Sequence, residues 1–558
     1  MRPGLVSVNA FLLTQFRVHG ATYQLPKDTT IMNHSVQVPA SSTNGQQDTR
    51  RNSVNQEFLA ELEQQARALE PTQEELGELF TKVEKYARGH ISNVCETPAF
   101  VKSKERSVEL LSSPISETGI SLDDTLQLLY DYVDHEGLNS GSPRYLGYIP
   151  SGGLPHSAFG DFLAAIGGRY AGVFHSAPGA VRMENMLIRW MAEVVGYPKG
   201  AGGYLSSGGS IANLSAVITA REASGLRGAD YDQAVVYMTE HAHHCVDKAL
   251  RIAGMGSSIR RRVAEDDRCR MSAEALEETI AADRASGLNP WLIVASAGTT
   301  NMGTVDPLGD IASVARSNHL WFHVDGAYGA FFALCPEGQE VLSGMDQSSS
   351  LVLDPHKTLF LPFGTGALLV RDQEFLGPAH GGRGEYMRDM DSDAHELSPA
   401  YLSPELSKHF RGLRMWLPLK LLGVAPFRSA LSEKIHLARY AYERLQSFEG
   451  VQVGPAPDLS IVTFRFVPEK GDVNEFNLSL TDNPAERIMK RWQDRDANEF
   501  NLALVNNLHR DGRVFLTSTR IRGTVVLRLA VGSFRTHLEH IDEALEVLSE
   551  HVRALKES

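Results

Sequence analysis

Lys357 lies in the stretch Ser348-Ser-Ser-Leu-Val-Leu-Asp-Pro-His-Lys-Thr-Leu-Phe-Leu-Pro-Phe-Gly-Thr-Gly-Ala-Leu-Leu-Val-Arg371. Apolar runs at Leu351–Leu353 and Ala367–Val370 flank it and read as short buried strands, which puts the lysine at the tip of their connection. Burial there strips hydration from the ammonium and favours the neutral amine. A neutral amine condenses with an aldehyde, so Lys357 is a candidate Schiff-base former. A solvated loop lysine has the same spacing.

Four other segments carry chemistry. Tyr204-Leu-Ser-Ser-Gly208-Gly209-Ser210-Ile-Ala-Asn213 enters a helix through glycines, where exposed amides and the helix dipole suit a phosphate. Ser210 also serves as an ordinary N-cap, and the missing P-loop lysine argues against a nucleoside triphosphate. Leu320-Trp-Phe-His-Val-Asp325-Gly-Ala327-Tyr328 is an apolar strand ending in a carboxylate, which is costly to bury without a cation. Taken alone, that acid reads first as a cap for a following helix. Ala295-Ser-Ala-Gly298-Thr299-Thr300 follows another apolar strand, lets a ligand approach closely and supplies the Thr300 hydroxyl, though a plain turn reads the same way. Glu240-His-Ala-His243-His244-Cys245 offers imidazoles for stacking or proton transfer, and spacing alone does not choose among them.

The order Gly-Gly-Ser, His, Thr-Thr, Asp-x-Ala and His-Lys, each after a strand, resembles the group II pyridoxal-phosphate-dependent amino-acid decarboxylases, the aromatic-L-amino-acid and glutamate decarboxylase-like family. The likeness runs over about residues 55–465 and 510–550. It implies a homodimeric fold-type I enzyme that binds pyridoxal 5'-phosphate and turns an L-amino acid into its amine. It implies that Lys357 forms the Schiff base and that Asp325 pairs with the pyridine nitrogen, keeping the ring protonated as an electron sink. It places Ala327 against the ring and gives Gly209, Ser210, Thr300 and His356 cofactor contacts. His243 resembles the stacking histidine, because Glu240-His-Ala-His-His-Cys-Val246 fits the family's acid-x-Ala-His-x-x-Val pattern.

Arg144-Tyr-Leu-Gly-Tyr148-Ile-Pro150-Ser151 resembles the family's substrate-lining stretch, which makes Tyr148, Pro150 and Ser151 substrate candidates. Phe410-Arg-Gly-Leu-Arg-Met-Trp416 resembles the segment beyond the catalytic loop. That loop is Gly377–Leu397, lid-like in composition, and its Tyr386 matches the tyrosine that protonates the carbanion after carbon dioxide leaves. Having both His243 and Tyr386 favours simple decarboxylation over oxidative aldehyde formation. Leu353-Asp354 stands where the family often has Asn, and Phe363-Gly-Thr-Gly-Ala follows the lysine, which marks a divergent branch. The substrate is therefore not carried over. Tyr145, Tyr148, Tyr170 and Phe174 suit an aromatic side chain, with acidic or diamino acids as alternatives. A sphingosine-phosphate-lyase-like carbon–carbon lyase and a cofactor-binding protein without turnover are the rival classes.

The elements that must position these residues follow an α/β pattern. β-like runs at Ala234–Met238, Trp291–Ser296, Leu320–Val324 and Leu351–Leu353 alternate with helical segments at Ser210–Glu222, His243–Ala253, Ser272–Ser286 and Pro307–Asn318. Such alternation predicts a mostly parallel central sheet covered on both faces. The expected organisation is an extension over 1–52 poor in structure, a helical segment over 53–139 packing on a second subunit, a large cofactor-binding domain over 140–425, and a smaller α+β domain over 426–558 with an insertion at 468–497. The helical segment holds helices at Val54–Leu69, from Pro71 towards Arg88, and from Ser121 to about Val133. In the last domain, strands are expected at Ser460–Val467, Arg513–Ser518 and Thr524–Val531 before a helix at Leu538–Leu555.

Composition excludes several classes. The chain has 558 residues and a net charge of -14, which argues against nucleic-acid binding. No apolar run is long enough to span a membrane. Cys95, Cys245, Cys269 and Cys335 are far apart, so reduced thiols in a cytoplasmic protein are expected, and no metal centre at zinc-site spacing. Arg2, Arg17 and Lys27 precede the first acid, a faint transit-peptide composition, while Met32 is an equally good initiator.

Overall fold

The computed structural model describes residues 55–103, 106–382, 396–467 and 484–557. The expected extension over 1–52, the loop residue Tyr386 and residues 468–483 of the expected insertion lie outside the described residues. The chain divides into two compact units, Met1–Glu74 and Glu75–Ser558. In the first unit, helix Gln56–Ala66 starts where the Asn55 side chain accepts a hydrogen bond from the Glu57 amide at 3.1 Å, and it buries none of its residues.

The second unit is built on a seven-stranded sheet. Its strand order is Gly202–Ser206, Gly366–Val370, Ser350–Leu353, Trp321–Asp325, Asn289–Ser296, Ala234–Met238, Ile259–Arg262. The last five pair in parallel, and Gly366–Val370 runs antiparallel to both of its neighbours. The fold is thus the mostly parallel α/β sheet expected, with one reversed strand. Successive residues of a strand face opposite ways. Val235, Tyr237 and Ile293 meet Leu276, Ile280 and Ile311 on one side. Val236, Leu292 and Val294 meet Val217, Val246 and Leu250 on the other. Both faces are covered, which is why these strands read as continuous apolar runs.

A second sheet of four antiparallel strands has the order Val451–Val453, Ile461–Phe466, Thr524–Ala530, Thr517–Ile521. Its own core joins Phe464 and Leu527 to three helices, through Leu445 of Ala425–Gln446, Leu508 of Pro484–Asp511 and Leu548 of Leu538–Glu557. The strand expected at Arg513–Ser518 begins later, at Thr517. The apolar residues before it are used elsewhere: the Phe515 amide donates to Arg144 O at 3.1 Å, and the Leu146 amide to Phe515 O at 2.9 Å. Residues 484–497 of the expected insertion form the start of the long helix Pro484–Asp511. Helices Pro155–Gly167 and Pro178–Val194 lie beyond the sequence expectations, and Leu376–His380 makes the start of the expected loop helical. No described helix is long and apolar enough to cross a membrane.

Candidate active site

Five connections leave the same edge of the large sheet, because the strands before them run in the same direction. They place Gly209 and Ser210, His243, Thr300, Asp325 and Ala327, and His356 and Lys357 around one cavity of about 410 Å³. Asn213, His241, Cys245, Tyr328, Asp354 and Phe363 complete the parts of its wall used below.

The phosphate-type corner starts at the end of strand Gly202–Ser206. A buried ion pair fixes that strand: Lys408 Nζ lies 2.6 Å from Glu184 Oε1 and donates to Leu205 O at 3.0 Å, while the Leu205 amide donates to Glu184 Oε1 at 3.0 Å. Gly208 then turns the chain with φ +154°, and helix Gly209–Ala223 begins. The first-turn amides of a helix have no partner within it. Here they border the cavity beside the exposed Ser210 and Thr300. The Thr300 end is held from behind by Arg528, which donates to Thr300 O at 2.5 Å and Asn301 O at 2.9 Å.

Asp325 ends its strand with the carboxylate in the cavity wall. Its Oδ1 accepts the Ala327 amide at 3.2 Å, and its Oδ2 accepts Asn213 Nδ2 at 3.3 Å. His243 lies nearby, and the side-chain ligand atoms of His243, Cys245 and Asp325 fall within 4.8 Å of one another. Burial pushes His243 down from the usual imidazole value against the opposing pull of Asp325, so the ring is neutral near pH 7. Burial pushes the Cys245 thiol far up, which disfavours its thiolate. His241, Glu265 and Cys269 form a second such group that linear spacing does not reveal, with the Arg522 guanidinium 3.7 Å from Glu265.

Lys357 overturns one expectation. Burial does lower its tendency to hold a proton, but the carboxylates of Asp354 and Asp325 outweigh it, and its pKa rises. The amine is held towards its ammonium form, with Nζ 3.2 Å from Asp354 Oδ2, and has to give up that proton before it condenses with an aldehyde. Its neighbour His356 is fixed by the Thr365 carbonyl, 2.6 Å from Nδ1.

Tyr148, Pro150 and Ser151 do not line this cavity within one chain. Tyr148 is about half exposed beside Phe515, with ring centroids 5.9 Å apart, whereas Ser151 is buried. Arg528 links their segment to the cavity, reaching Gly147 O at 3.4 Å from the guanidinium that holds Thr300. The other pocket aromatics also lie off the cavity: Tyr145 stacks on Phe515, and Phe174 packs under Arg182. Asn213, His323 and Arg528 carry roles that the motifs do not announce. Their signal in the sequence is a polar side chain in an apolar element, as in Phe322-His-Val and Val526-Leu-Arg-Leu.

The wall fits pyridoxal phosphate: an amide-rich helix start for an anion, a fixed carboxylate for a ring nitrogen, a neutral imidazole and one amine. Comparison with known proteins points to the same cofactor. The sequence model of the pyridoxal-dependent decarboxylase conserved domain matches residues 115–467. An aromatic-L-amino-acid decarboxylase of Bacillus atrophaeus is 33% identical over 80% of this chain and 88% of its own. A phenylacetaldehyde synthase of Arabidopsis thaliana is 28% identical over 74% of this chain and 82% of its own. The crystal structure of Oryza sativa TDC with PLP and tryptamine superposes with a TM-score of 0.78 at 24% identity, covering 87% of this chain and 99% of that one. With the motif order, the sheet and the match over most of its length, the chain belongs to the pyridoxal-dependent decarboxylase family.

Proposed function

We propose that this enzyme decarboxylates aromatic L-amino acids to amines through a Schiff base at Lys357. The observation that carries the site assignment is the convergence of Lys357, Asp325, His243 and the Gly209–Ser210 helix start on one cavity. When bound, pyridoxal phosphate supplies a protonated ring that accepts the electrons released at the substrate α carbon. Gly209 and Ser210 amides, with the Ser210 and Thr300 hydroxyls, hold the phosphate. Asp325, aligned by Asn213, holds the proton on the ring nitrogen. His243 and Ala327 confine the ring, and His356 braces the turn that carries Lys357. Tyr386 delivers the proton to the α carbon.

The aromatic preference rests on relatives: the Bacillus atrophaeus protein is named for aromatic L-amino acids, and the Oryza sativa structure holds tryptamine. Aldehyde formation is the second reading, favoured by the Arabidopsis thaliana relative. Tyr148, Pro150 and Ser151 are assigned to the substrate side. This assignment is supported by the Arg528 link and by the Leu154 amide donating to Phe360 O at 2.8 Å, just beyond Lys357.

We also infer a homodimer. Phe80, Val83, Phe159, Phe162, Leu163 and Ile166 expose large apolar surface, and Phe80 meets Phe162 at 6.1 Å. The free cysteines suit a reducing cytoplasm. Replacing Lys357 by Ala is expected to remove the visible absorbance band of the bound cofactor; a band that survives refutes the lysine assignment.

A further inference from the structure

We propose that Asp354 is a positioning residue that keeps the Lys357 side-chain nitrogen protonated and anchored at the cavity wall, leaving Asp325 for the cofactor ring. The proposal rests on the site reading above and adds a division of labour between its two carboxylates.

Asp354 precedes the single helical turn Pro355–Thr358 that carries Lys357, so an i,i+3 spacing brings its carboxylate under the ammonium. Its side chain is only 2% exposed. Oδ2 faces Lys357 Nζ at 3.2 Å, with His356 Nε2 at 3.8 Å, while Oδ1 is buried without a hydrogen-bond partner. A Cβ on Gly209 would come within 2.7 Å of Oδ2, and one on Gly366 within 2.7 Å of Oδ1. The carboxylate is seated between two glycine backbones, and a side chain on either would crowd it. A buried carboxylate needs a cation, and the positive group in contact with this one is Lys357.

The groups acting on Lys357 are Asp354 on its own turn, Asp325 from the neighbouring strand, and Cys245 and His243 from the connection after Ala234–Met238. Of these, Asp354 pulls hardest towards the charged form. Once a ring nitrogen claims Asp325, two cationic nitrogens face two carboxylates, and Asp354 is the one left for Lys357. A substrate that arrived as its ammonium would bring the proton that Lys357 takes up on exchange, so the lysine would then be held as an ammonium against Asp354 rather than freed as a neutral base.

The test is the pH dependence of Lys357 acylation in cofactor-free enzyme, read by mass spectrometry of the peptide that contains it. The wild-type midpoint is expected above the ordinary lysine value of about 10.4. Asp354→Asn, which keeps shape and removes charge, is expected to lower that midpoint by about one unit, with roughly tenfold more acylation at a fixed pH below both midpoints. Equal midpoints overturn the proposal, as does a wild-type midpoint at or below the ordinary value. If Asp354→Asn does not fold, Asp325→Asn decides. Asp354 alone must then hold the midpoint above the ordinary value, and a fall to that value or below overturns the proposal. Protection of Lys357 by added pyridoxal phosphate separates the two claims. Without protection the site reading fails, whereas protection with equal midpoints removes only the role of Asp354.

Discussion

Asn213 Nδ2 donates to Asp325 Oδ2 across 3.3 Å, joining a helix interior to the end of a strand. Behind it, His323 Nε2 lies 2.8 Å from Asn213 Oδ1, His323 Nδ1 lies 2.9 Å from Ser350 Oγ, and Trp321 Nε1 donates to Ser350 Oγ at 2.9 Å. Burial pushes His323 down to about 4, so its ring is neutral and carries one donor and one acceptor. The directions then agree along the whole chain, Trp321 to Ser350 to His323 to Asn213 to Asp325, with every donor meeting an acceptor.

Removing the Asn213 amide breaks that chain at its last link. A hydrogen bond to a charged group is worth about 1.5–3 kcal/mol, so Asn213→Ala is expected to weaken pyridoxal phosphate binding roughly tenfold or more. Equilibrium titration of the cofactor-free variant measures this, and an unchanged Kd means that Asn213 does not support Asp325.

His323 also makes stability depend on pH. Its folded value of about 4 lies below the unfolded value of about 6.5. Below pH 6.5 the unfolded chain takes up a proton that the folded protein refuses. Stability is therefore full above that pH and falls as pH drops towards 4, by up to about 1.4 kcal/mol per unit. The buried Asp306, pushed up to about 6, acts in the opposite direction over much of the same range. Comparison with His323→Asn isolates the histidine. Urea midpoints between pH 7 and 5 are expected to fall more steeply in the wild type, and parallel curves contradict this.

The sheet is legible in the sequence because its strands are buried on both faces. Ala234–Met238 shows no alternation to mislead, and its end coincides with the end of the apolar run. Val514–Leu516 looks the same but pairs with Arg144–Leu146, a partner hundreds of positions away that no local pattern announces. Helix Pro484–Asp511 is hidden by its polar composition and by Asn501, a buried polar residue that bonds both the amide and the carbonyl of Phe466, at 2.9 and 2.7 Å. Within the site, residue types are readable and charge states are not. Lys357 reads as a desolvated amine until the fold brings Asp325 beside it.

The exposed apolar face between Phe80 and Ile166 gives the dimer proposal its test. A charge at Phe162 or Ile166 would be buried in the inferred interface, where an unpaired charge is strongly unfavourable. Phe162→Asp is expected to shift sedimentation from dimer towards monomer at micromolar concentration. A wild-type protein that sediments as a monomer refutes the dimer, and an unshifted variant moves the interface elsewhere.

The most direct measurement is a panel of L-amino acids given to the cofactor-loaded enzyme, with amine, aldehyde and carbon dioxide quantified together. The account predicts equal amounts of amine and carbon dioxide, highest for aromatic substrates, with no aldehyde and with amine formation lost in Tyr386→Phe. Carbon dioxide accompanied by aldehyde instead of amine, or no carbon dioxide from any amino acid, would contradict it.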